Sequence, residues 1–253
     1  MSKAAEQSYL EKIGADGWQH SREKPFSDEY CGINLAAIGT IISLLPPPPA
    51  RLLDMGCGAG WTSVFFAKRG YEVVGQDISQ DMIRLSEENR ARNSLENLSF
   101  VQGDYEDLTF SREFDCVVFF DSLHHSDDEL LAIGSAYRAL KPGGVLLTHE
   151  PGEGHAANPA SIEAMQLYGV NERDMPPELI IRRGEEVGFT QARTFPLQHD
   201  IQEIFYGDRP PRLLSTAGYF LAKRLLELVF KPSLKASSIV IMVKPLPPGP
   251  PSP

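Results

Sequence analysis

The chain has 253 residues, of which 42% are hydrophobic and 23% are charged. This content supports a full hydrophobic core, and the length fits one α/β domain with additions or two small domains. The net charge of −10 argues against a nucleic-acid partner, because nucleic-acid-binding proteins usually present a basic face. Small-molecule chemistry is therefore the expected class of function.

The cysteines and the N-terminus indicate a cellular compartment. Cys31, Cys57 and Cys116 form no C-x-x-C pair, which is typical of reduced thiols in a cytosolic protein. The N-terminus lacks a basic segment followed by an apolar one, and no apolar run reaches transmembrane length. We therefore expect a cytoplasmic protein with no integral membrane segment.

The N-terminal region divides into two parts. Residues 1–26 are polar and irregular, which predicts either a flexible segment or a cap that orders over a ligand. The apolar positions between Ser27 and Leu45 predict a helix with Ser27 as its N-cap, ended by the prolines at 46–49. We take residues 27–244 as the main domain.

Residues 52–60, LLDMGCGAG, are the most informative segment of the chain. A short apolar strand ends in a glycine turn, and a helix follows, so a ligand can approach bare backbone N–H groups. The dinucleotide fingerprint G-x-G-x-x-G requires a third glycine where this chain has Trp61. The spacing and the preceding Asp54 therefore favour a zwitterionic or cationic ligand over a pyrophosphate.

Strands and helices alternate after this turn, which predicts a parallel sheet with helices on both faces. The predicted strands are 71–77, 98–104, 114–121 and 145–150, and the predicted helices are 80–92 and 127–140, the second followed by a turn at 141–144.

The last third of the chain is less regular. The predicted elements are a helix at 177–187, a strand at 189–197, an amphipathic helix at 213–230, a strand at 237–244 and a proline-rich flexible tail at 245–253. The amphipathic helix lies within a lid-like insertion, residues 198–235. A lid or core helix is the expected role, with docking to a membrane surface as the alternative.

Four predicted strands finish on or near an acidic residue, namely Asp54, Asp77, Asp104 and Asp121. Ligands of open parallel sheets bind beyond the carboxyl ends of the strands. Any one of these acids could equally be an N-cap or a turn residue. Four in register favour a ligand site.

These motifs resemble those of class I S-adenosylmethionine-dependent methyltransferases of the small-molecule type, with a methyltransferase domain 11 or 12, over roughly residues 30–150. The resemblance implies a doubly wound, Rossmann-like α/β sheet of seven mostly parallel strands whose last strand is antiparallel. It also implies S-adenosylmethionine as cofactor and S-adenosylhomocysteine as product. The cofactor-binding residues that it implies are Asp54, Gly56, Cys57, Gly58, Gly60, Asp77, Ile78, Asp104, Tyr105 and Asp121.

The candidate catalytic residues follow the fourth and fifth strands. His124 or His125 could deprotonate a hydroxyl as the methyl group is transferred, and His125 is favoured because it lies further into the loop. Alternatively, one of them packs against the adenosine or caps the next helix. Glu150, which ends the fifth strand near His155, is a further candidate base or acceptor ligand. We expect no metal, since Asp127 and its neighbour are better explained as a solvated helix start.

The expected function is methyl transfer to a small-molecule or saccharide acceptor, at oxygen, by a single displacement. An NAD(P)-dependent oxidoreductase is one alternative, and Trp61 argues against it. A non-catalytic protein that binds the cofactor for regulation or assembly is the other, and the strand-end acids argue against it.

Overall fold

The computed structural model describes residues 2–206, 215–230 and 238–247. The strands are β1 (Arg51–Met55), β2 (Glu72–Asp77), β3 (Leu98–Gln102), β4 (Phe114–Phe120), β5 (Leu140–Glu150), β6 (Thr190–Pro196) and β7 (Ser238–Val243). The helices are α1 (Ser2–Gln7), α2 (Tyr9–Lys12), α3 (Gly14–Glu23), α4 (Cys31–Leu44), α5 (Trp61–Arg69), α6 (Gln80–Arg92), α7 (Glu129–Ala139), α8 (Pro159–Tyr168), α9 (Pro177–Val187), α10 (Gln198–Tyr206) and α11 (Thr216–Phe230).

The strands form one seven-stranded sheet in the order β3-β2-β1-β4-β5-β7-β6. Strands β1 to β5 pair in parallel, and β7 runs antiparallel to both β5 and β6. The predicted fold class is therefore confirmed.

Alternation along the central strands gives the sheet two apolar faces, as a doubly covered parallel sheet requires. Leu52 and Cys116 belong to one buried cluster, and their chain neighbours Leu53 and Val117 belong to the other. All four side chains are fully buried. Helices cover both clusters, so the carboxyl edge of the sheet is where a ligand can reach the strands.

Several helices have the predicted bounds. The N-cap Ser79 of α6 accepts a hydrogen bond from the Met82 N–H, and Gly188 ends α9 in the left-handed conformation with φ of 113°. The helix expected after the glycine turn is α5, which begins at Trp61 and ends at Arg69, before Gly70 with φ of 106°. Local capping chemistry therefore determined these ends.

Two local predictions are wrong. The helix predicted from Ser27 begins at Cys31, because the Ser27 hydroxyl donates to the His20 carbonyl oxygen rather than capping a helix. The predicted turn at 141–144 lies inside β5. Leu140 of this strand pairs with Phe114 of β4, and the register of the pairing shifts before Val145. A bulge accommodates the glycines without ending the strand.

Other segments were not assigned from the sequence. Residues 2–23 are largely helical, as α1 to α3, and α8 was missed although Asn158 caps it and Pro159 occupies its first position. Parts of the predicted insertion 198–235 and of the tail 245–253 lie outside the described residues, as do the first residues of the helix predicted at 213–230. Among the described helices, none has the length and apolarity needed to cross a bilayer.

Candidate active site

A cavity of about 940 Å³ lies at the carboxyl edge of the sheet, where the strand order reverses between β1 and β4. This is the position at which open α/β sheets bind ligands. Its walls come from the glycine loop, the ends of β2, β4 and β5, and helices α1 to α3. One continuous cavity thus joins the predicted cofactor residues to the end of β5.

The glycine loop has a backbone that other residues could not adopt without strain. Gly56 and Gly60 have φ of 71° and 78°. A Cβ atom at Gly56 would lie 2.6 Å from Ser122 Cβ, and one at Gly60 would lie 2.7 Å from the Phe100 ring. At Gly58, with φ of 53°, a Cβ would meet nothing within 4 Å, because that position faces the cavity. The loop therefore packs tightly at Gly56 and Gly60 and is open to the cavity at Gly58.

Asp54 was predicted to contact the cofactor, but it lies behind the loop and not in the cavity wall. Its Oδ2 accepts hydrogen bonds from the hydroxyls of Thr62 and Ser63, both at 2.6 Å. Burial raises the pKa of Asp54 to about 6, although these two hydrogen bonds oppose the shift. Asp54 therefore anchors the loop to the start of α5.

Two further residues of the loop, Cys57 and Gly60, contribute their backbone to it and no reactive side chain. Cys57 lines the cavity, and burial raises the pKa of its thiol well above the usual value, so the side chain is a neutral thiol. Gly60 faces Phe100 and Ser86 rather than the cavity. Gly60, which was predicted to bind the cofactor, therefore serves close packing instead.

Asp77 lies at the end of β2, in the cavity wall. Its carboxylate accepts the N–H of Gly58 and the N–H of Ser79, each at 2.9 Å, and it lines the cavity beside Ile78. Burial raises the pKa of Asp77, against these backbone hydrogen bonds. The remaining lone pairs of this carboxylate can accept hydroxyl donors from a ligand.

Asp104 and Tyr105 line the cavity beyond β3. Asp104 Oδ1 accepts the Glu106 N–H at 2.9 Å, and its Oδ2 accepts the Lys3 ammonium at 2.6 Å. The Tyr105 hydroxyl donates to the Ser122 carbonyl oxygen at 3.0 Å. Two of the predicted cofactor-binding residues are therefore present in the wall, and Lys3 from α1 reaches the Asp104 carboxylate.

The first helices form a cap over this half of the cavity. Leu10 is buried with Ala59 and Leu85, so the cap packs directly on the glycine loop and on α6. Glu6 lines the cavity and accepts the Asn171 N–H at 3.1 Å. Burial raises the pKa of Glu6 to about 7.

The other half of the cavity contains a pair that the sequence analysis missed. His149, in β5, lies in the wall, and its Nδ1 is 3.0 Å from Asp121 Oδ1. The imidazole stacks on the Phe120 ring with centroids 4.4 Å apart and planes 7° apart. Asp121 has φ of 46°, an uncommon conformation for a residue other than glycine. The His149 imidazole is thus held at Nδ1 by Asp121 and on its ring face by Phe120.

The two groups perturb each other's pKa. Burial disfavours the imidazolium of His149, but the charge and hydrogen bond of Asp121 outweigh it and raise the pKa above its usual value. Burial likewise disfavours the Asp121 carboxylate, but His149 outweighs it and lowers the pKa. An imidazole oriented by a carboxylate is the arrangement of a general base.

Glu150 was predicted as a base or acceptor ligand, but it is fully buried outside the cavity wall. It accepts hydrogen bonds from the backbone N–H groups of Ser122, Leu123 and His124 at 3.1, 2.8 and 3.3 Å. The same carboxylate is 2.8 Å from His124 Nδ1. Glu150 and His124 therefore hold the loop after β4 in place and do not line the cavity.

His125 is the member of the predicted histidine pair that lines the cavity. Its Nδ1 is 2.6 Å from the Asn171 carbonyl oxygen, which only accepts, so this nitrogen carries the proton. Burial and the neighbouring His124 lower the pKa of His125 to about 3. Such an imidazole is a weak base at neutral pH, which favours His149 as the base. His155 lies nearby, with its Nε2 2.7 Å from Glu172 Oε2.

Residues 53–148 match the family model described as "Methyltransferase domain". The chain is 31% identical over 162 residues to demethylmenaquinone methyltransferase of Staphylococcus carnosus, covering 62% of this chain and 66% of that protein. It is 36% identical over 105 residues to the ubiquinone/menaquinone biosynthesis C-methyltransferase UbiE of Pectobacterium carotovorum, covering 40% and 42%. The chain thus spans about two fifths to two thirds of these relatives.

Solved structures share the fold. Phosphoethanolamine N-methyltransferase 2 of Haemonchus contortus, in complex with S-adenosyl-L-methionine, has a TM-score of 0.65 at 19% identity, covering 95% of this chain and 60% of that one. Magnesium protoporphyrin IX methyltransferase of Synechocystis, with bound S-adenosylhomocysteine, has a TM-score of 0.65 at 17% identity, covering 96% and 99%.

These comparisons agree with the motifs and with the strand order. The predicted family and its cofactor, S-adenosylmethionine, are confirmed. Residues 53–148 of this chain form a class I S-adenosylmethionine-dependent methyltransferase domain.

Proposed function

We propose that the protein transfers the methyl group of S-adenosylmethionine to a hydroxylated aromatic small molecule, with His149 as the general base. The observation that carries this proposal is the Asp121–His149 pair in the wall of the cavity that also contains the glycine loop. A donor and an acceptor bound in one cavity gain rate from positioning, and the base removes the acceptor's proton.

The residues at the cofactor end suit S-adenosylmethionine. When bound, this cofactor supplies an electrophilic methyl group on a sulfonium. The carboxylate of Asp77 would accept the vicinal ribose hydroxyls, and the wall at Asp104 and Tyr105 would hold the adenine. Burial raises the pKa of Asp77 and of Glu6, so both gain from a cation nearby. The open face of Gly58 leaves the backbone accessible.

The orientation of His149 suits proton abstraction. The Asp121 carboxylate accepts the proton on Nδ1, so the neutral imidazole has its lone pair on Nε2. The charge of Asp121 also stabilises the imidazolium that forms. These two residues divide the roles of base and orienting carboxylate.

The acceptor end has an apolar and aromatic lining suited to a planar ring. It includes Trp61, Phe120, Tyr30, Ile33 and Leu197. Removing a proton from a phenolic hydroxyl increases the nucleophilicity of its oxygen and of the adjacent ring carbons. The same base therefore serves O-methylation, which the sequence predicts, and C-methylation, which is named for the Pectobacterium relative. The names of the relatives favour a quinol-type ring over a saccharide.

The test is turnover of the purified protein with S-adenosylmethionine and a panel of a reduced naphthoquinone, simple catechols and a hexose. We expect S-adenosylhomocysteine to form with the hydroxylated aromatics, and NMR of the product to locate the methyl group on oxygen or carbon. Turnover with the hexose alone would contradict the aromatic acceptor. Cofactor binding without turnover on any acceptor would favour a non-catalytic regulator. Tight calorimetric binding of NAD with no response to S-adenosylmethionine would overturn the whole proposal.

A further inference from the structure

A second group of titratable side chains, separate from the Asp121–His149 pair, has a spacing that could hold a metal ion. One ligand atom each from His124, His125 and Glu172 lies within 4.8 Å of the others. The first two follow β4, and Glu172 follows α8. His125 and Glu172 line the cavity, whereas His124 is buried behind them. We call these three residues the His-His-Glu cluster.

The hydrogen bonds of the two histidines fix which nitrogen can bind a metal. Nδ1 of His124 lies against Glu150, a carboxylate that already accepts three backbone N–H groups. Nδ1 of His125 lies against the Asn171 carbonyl oxygen. Both Nδ1 atoms therefore carry protons, and in each neutral imidazole the lone pair is on Nε2. A histidine that donates its other N–H to a carboxylate or a carbonyl is the usual arrangement at protein metal sites.

The spacing inside the cluster suits an ion better than a hydrogen bond. Nε2 of His124 lies 3.6 Å from Oε2 of Glu172, beyond hydrogen-bonding distance. Two ligands on one tetrahedral zinc ion lie roughly 3.4 Å apart, given metal–ligand distances of about 2.0–2.1 Å. The three ligand atoms, which all lie within 4.8 Å of one another, must approach to roughly this separation to share one ion.

Glu172 is oriented by a neighbour, as a ligating carboxylate usually is. His155 Nε2 is 2.7 Å from Glu172 Oε2. The carboxylate has about four lone-pair sites, so it can accept this hydrogen bond and still ligate an ion. Two neutral imidazoles and one carboxylate leave a coordination position open, and the cavity lies beside His125 and Glu172.

We propose that the His-His-Glu cluster binds a divalent transition-metal ion of the zinc type, with an open coordination position toward the cavity for an oxygen ligand. Two histidines and one carboxylate form the three-ligand set of open zinc sites and of mononuclear iron sites. This proposal is independent of the identity of the methyl acceptor, and it replaces the expectation of no metal.

The experiment uses the full-length chain without an affinity tag, stripped with chelator and then titrated with zinc by calorimetry in the absence of cofactor and acceptor. We expect one ion to bind per chain and the thermal unfolding midpoint to rise with zinc. Cobalt titration should give the visible absorption of a four- or five-coordinate ion. Because no turnover is measured, failure here is distinguishable from failure of the proposed function.

Matched variants assign the site. Glu172→Gln and His125→Asn should each weaken zinc binding by at least about tenfold, the lower end of what even outer-shell changes cost. His20→Gln removes a histidine in α3, outside the cluster, and should bind zinc like the wild type. Circular dichroism checks that each variant folds. If one of the two ligand variants does not fold, the other still tests the site. Zinc binding that is absent in the wild type, or unchanged in both folded ligand variants, would overturn the proposal.

Discussion

Two groups of histidines lie at the carboxyl ends of β4 and β5, and their surroundings differ. His149 faces the cavity with a carboxylate on one nitrogen and an aromatic ring on its face. His124 is buried against Glu150, whose oxygens also accept the backbone of the loop after β4. His149 and Glu150 are adjacent in β5, and alternation in a strand sends them to opposite faces. The sheet therefore separates the proposed base from a structural anchor at adjacent positions of one strand.

The largest expected effect tests the base. His149→Ala should lower kcat by about 10²- to 10⁴-fold, because general-base catalysis contributes that much. Calorimetry should show unchanged affinity for S-adenosylmethionine, since the variant lies at the acceptor end. Steady-state kinetics with a hydroxylated aromatic acceptor measures the loss. A rate within a few-fold of the wild type would mean that His149 does not act as the base.

The next effect tests the anchor. Glu150→Ala leaves three backbone N–H groups and the His124 imidazole without their acceptor. Loss of a partner from such a buried network costs about 3–5 kcal/mol in free energy of unfolding. Urea denaturation of the variant measures it. A change below 1 kcal/mol would mean that the loop after β4 does not depend on this carboxylate.

A cofactor-end variant provides a reference outside both histidine groups. Asp77→Ala should weaken S-adenosylmethionine binding by about 1–3 kcal/mol, because charged hydrogen bonds to the ribose are lost. The pH dependence of the rate should stay that of the wild type, because the Asp121–His149 pair is intact. Calorimetry with the cofactor and a pH–rate profile measure the two effects. Unchanged affinity would refute the ribose assignment.

The smallest expected effect tests how Asp121 changes the pKa of His149. The pKa of His149 is raised by Asp121, so the rate should increase as pH rises through a value above the ordinary histidine pKa. Asp121→Asn removes the charge, and the increase should move to lower pH, with a lower rate at high pH. A profile of kcat against pH for both proteins measures this shift. A profile that does not move would show that Asp121 does not act on the base.

The sequence located the cavity wall better at the glycine loop than at the end of β5. The glycine loop, Asp77 and the helix ends at Ser79 and Gly188 depend on local backbone geometry, which residue type reveals directly. His149 could not be chosen over Glu150 from the sequence, because that choice depends on which face of β5 meets the cavity. In the structure, His149 lies in the cavity wall and Glu150 lies outside it. The cap helices were also missed, since their stability comes from contacts such as Leu10 with Leu85.

The stacking of His149 on Phe120 has an entropic consequence. The imidazole is fixed in its plane by the Phe120 ring and in its rotation by Asp121, while Trp61 meets Phe120 edge-on with centroids 5.2 Å apart. A side chain restrained in this way has little rotamer freedom left to lose when the acceptor binds. The proposed base is therefore preorganised before an acceptor binds, and little of the free energy of binding is lost in ordering this side chain.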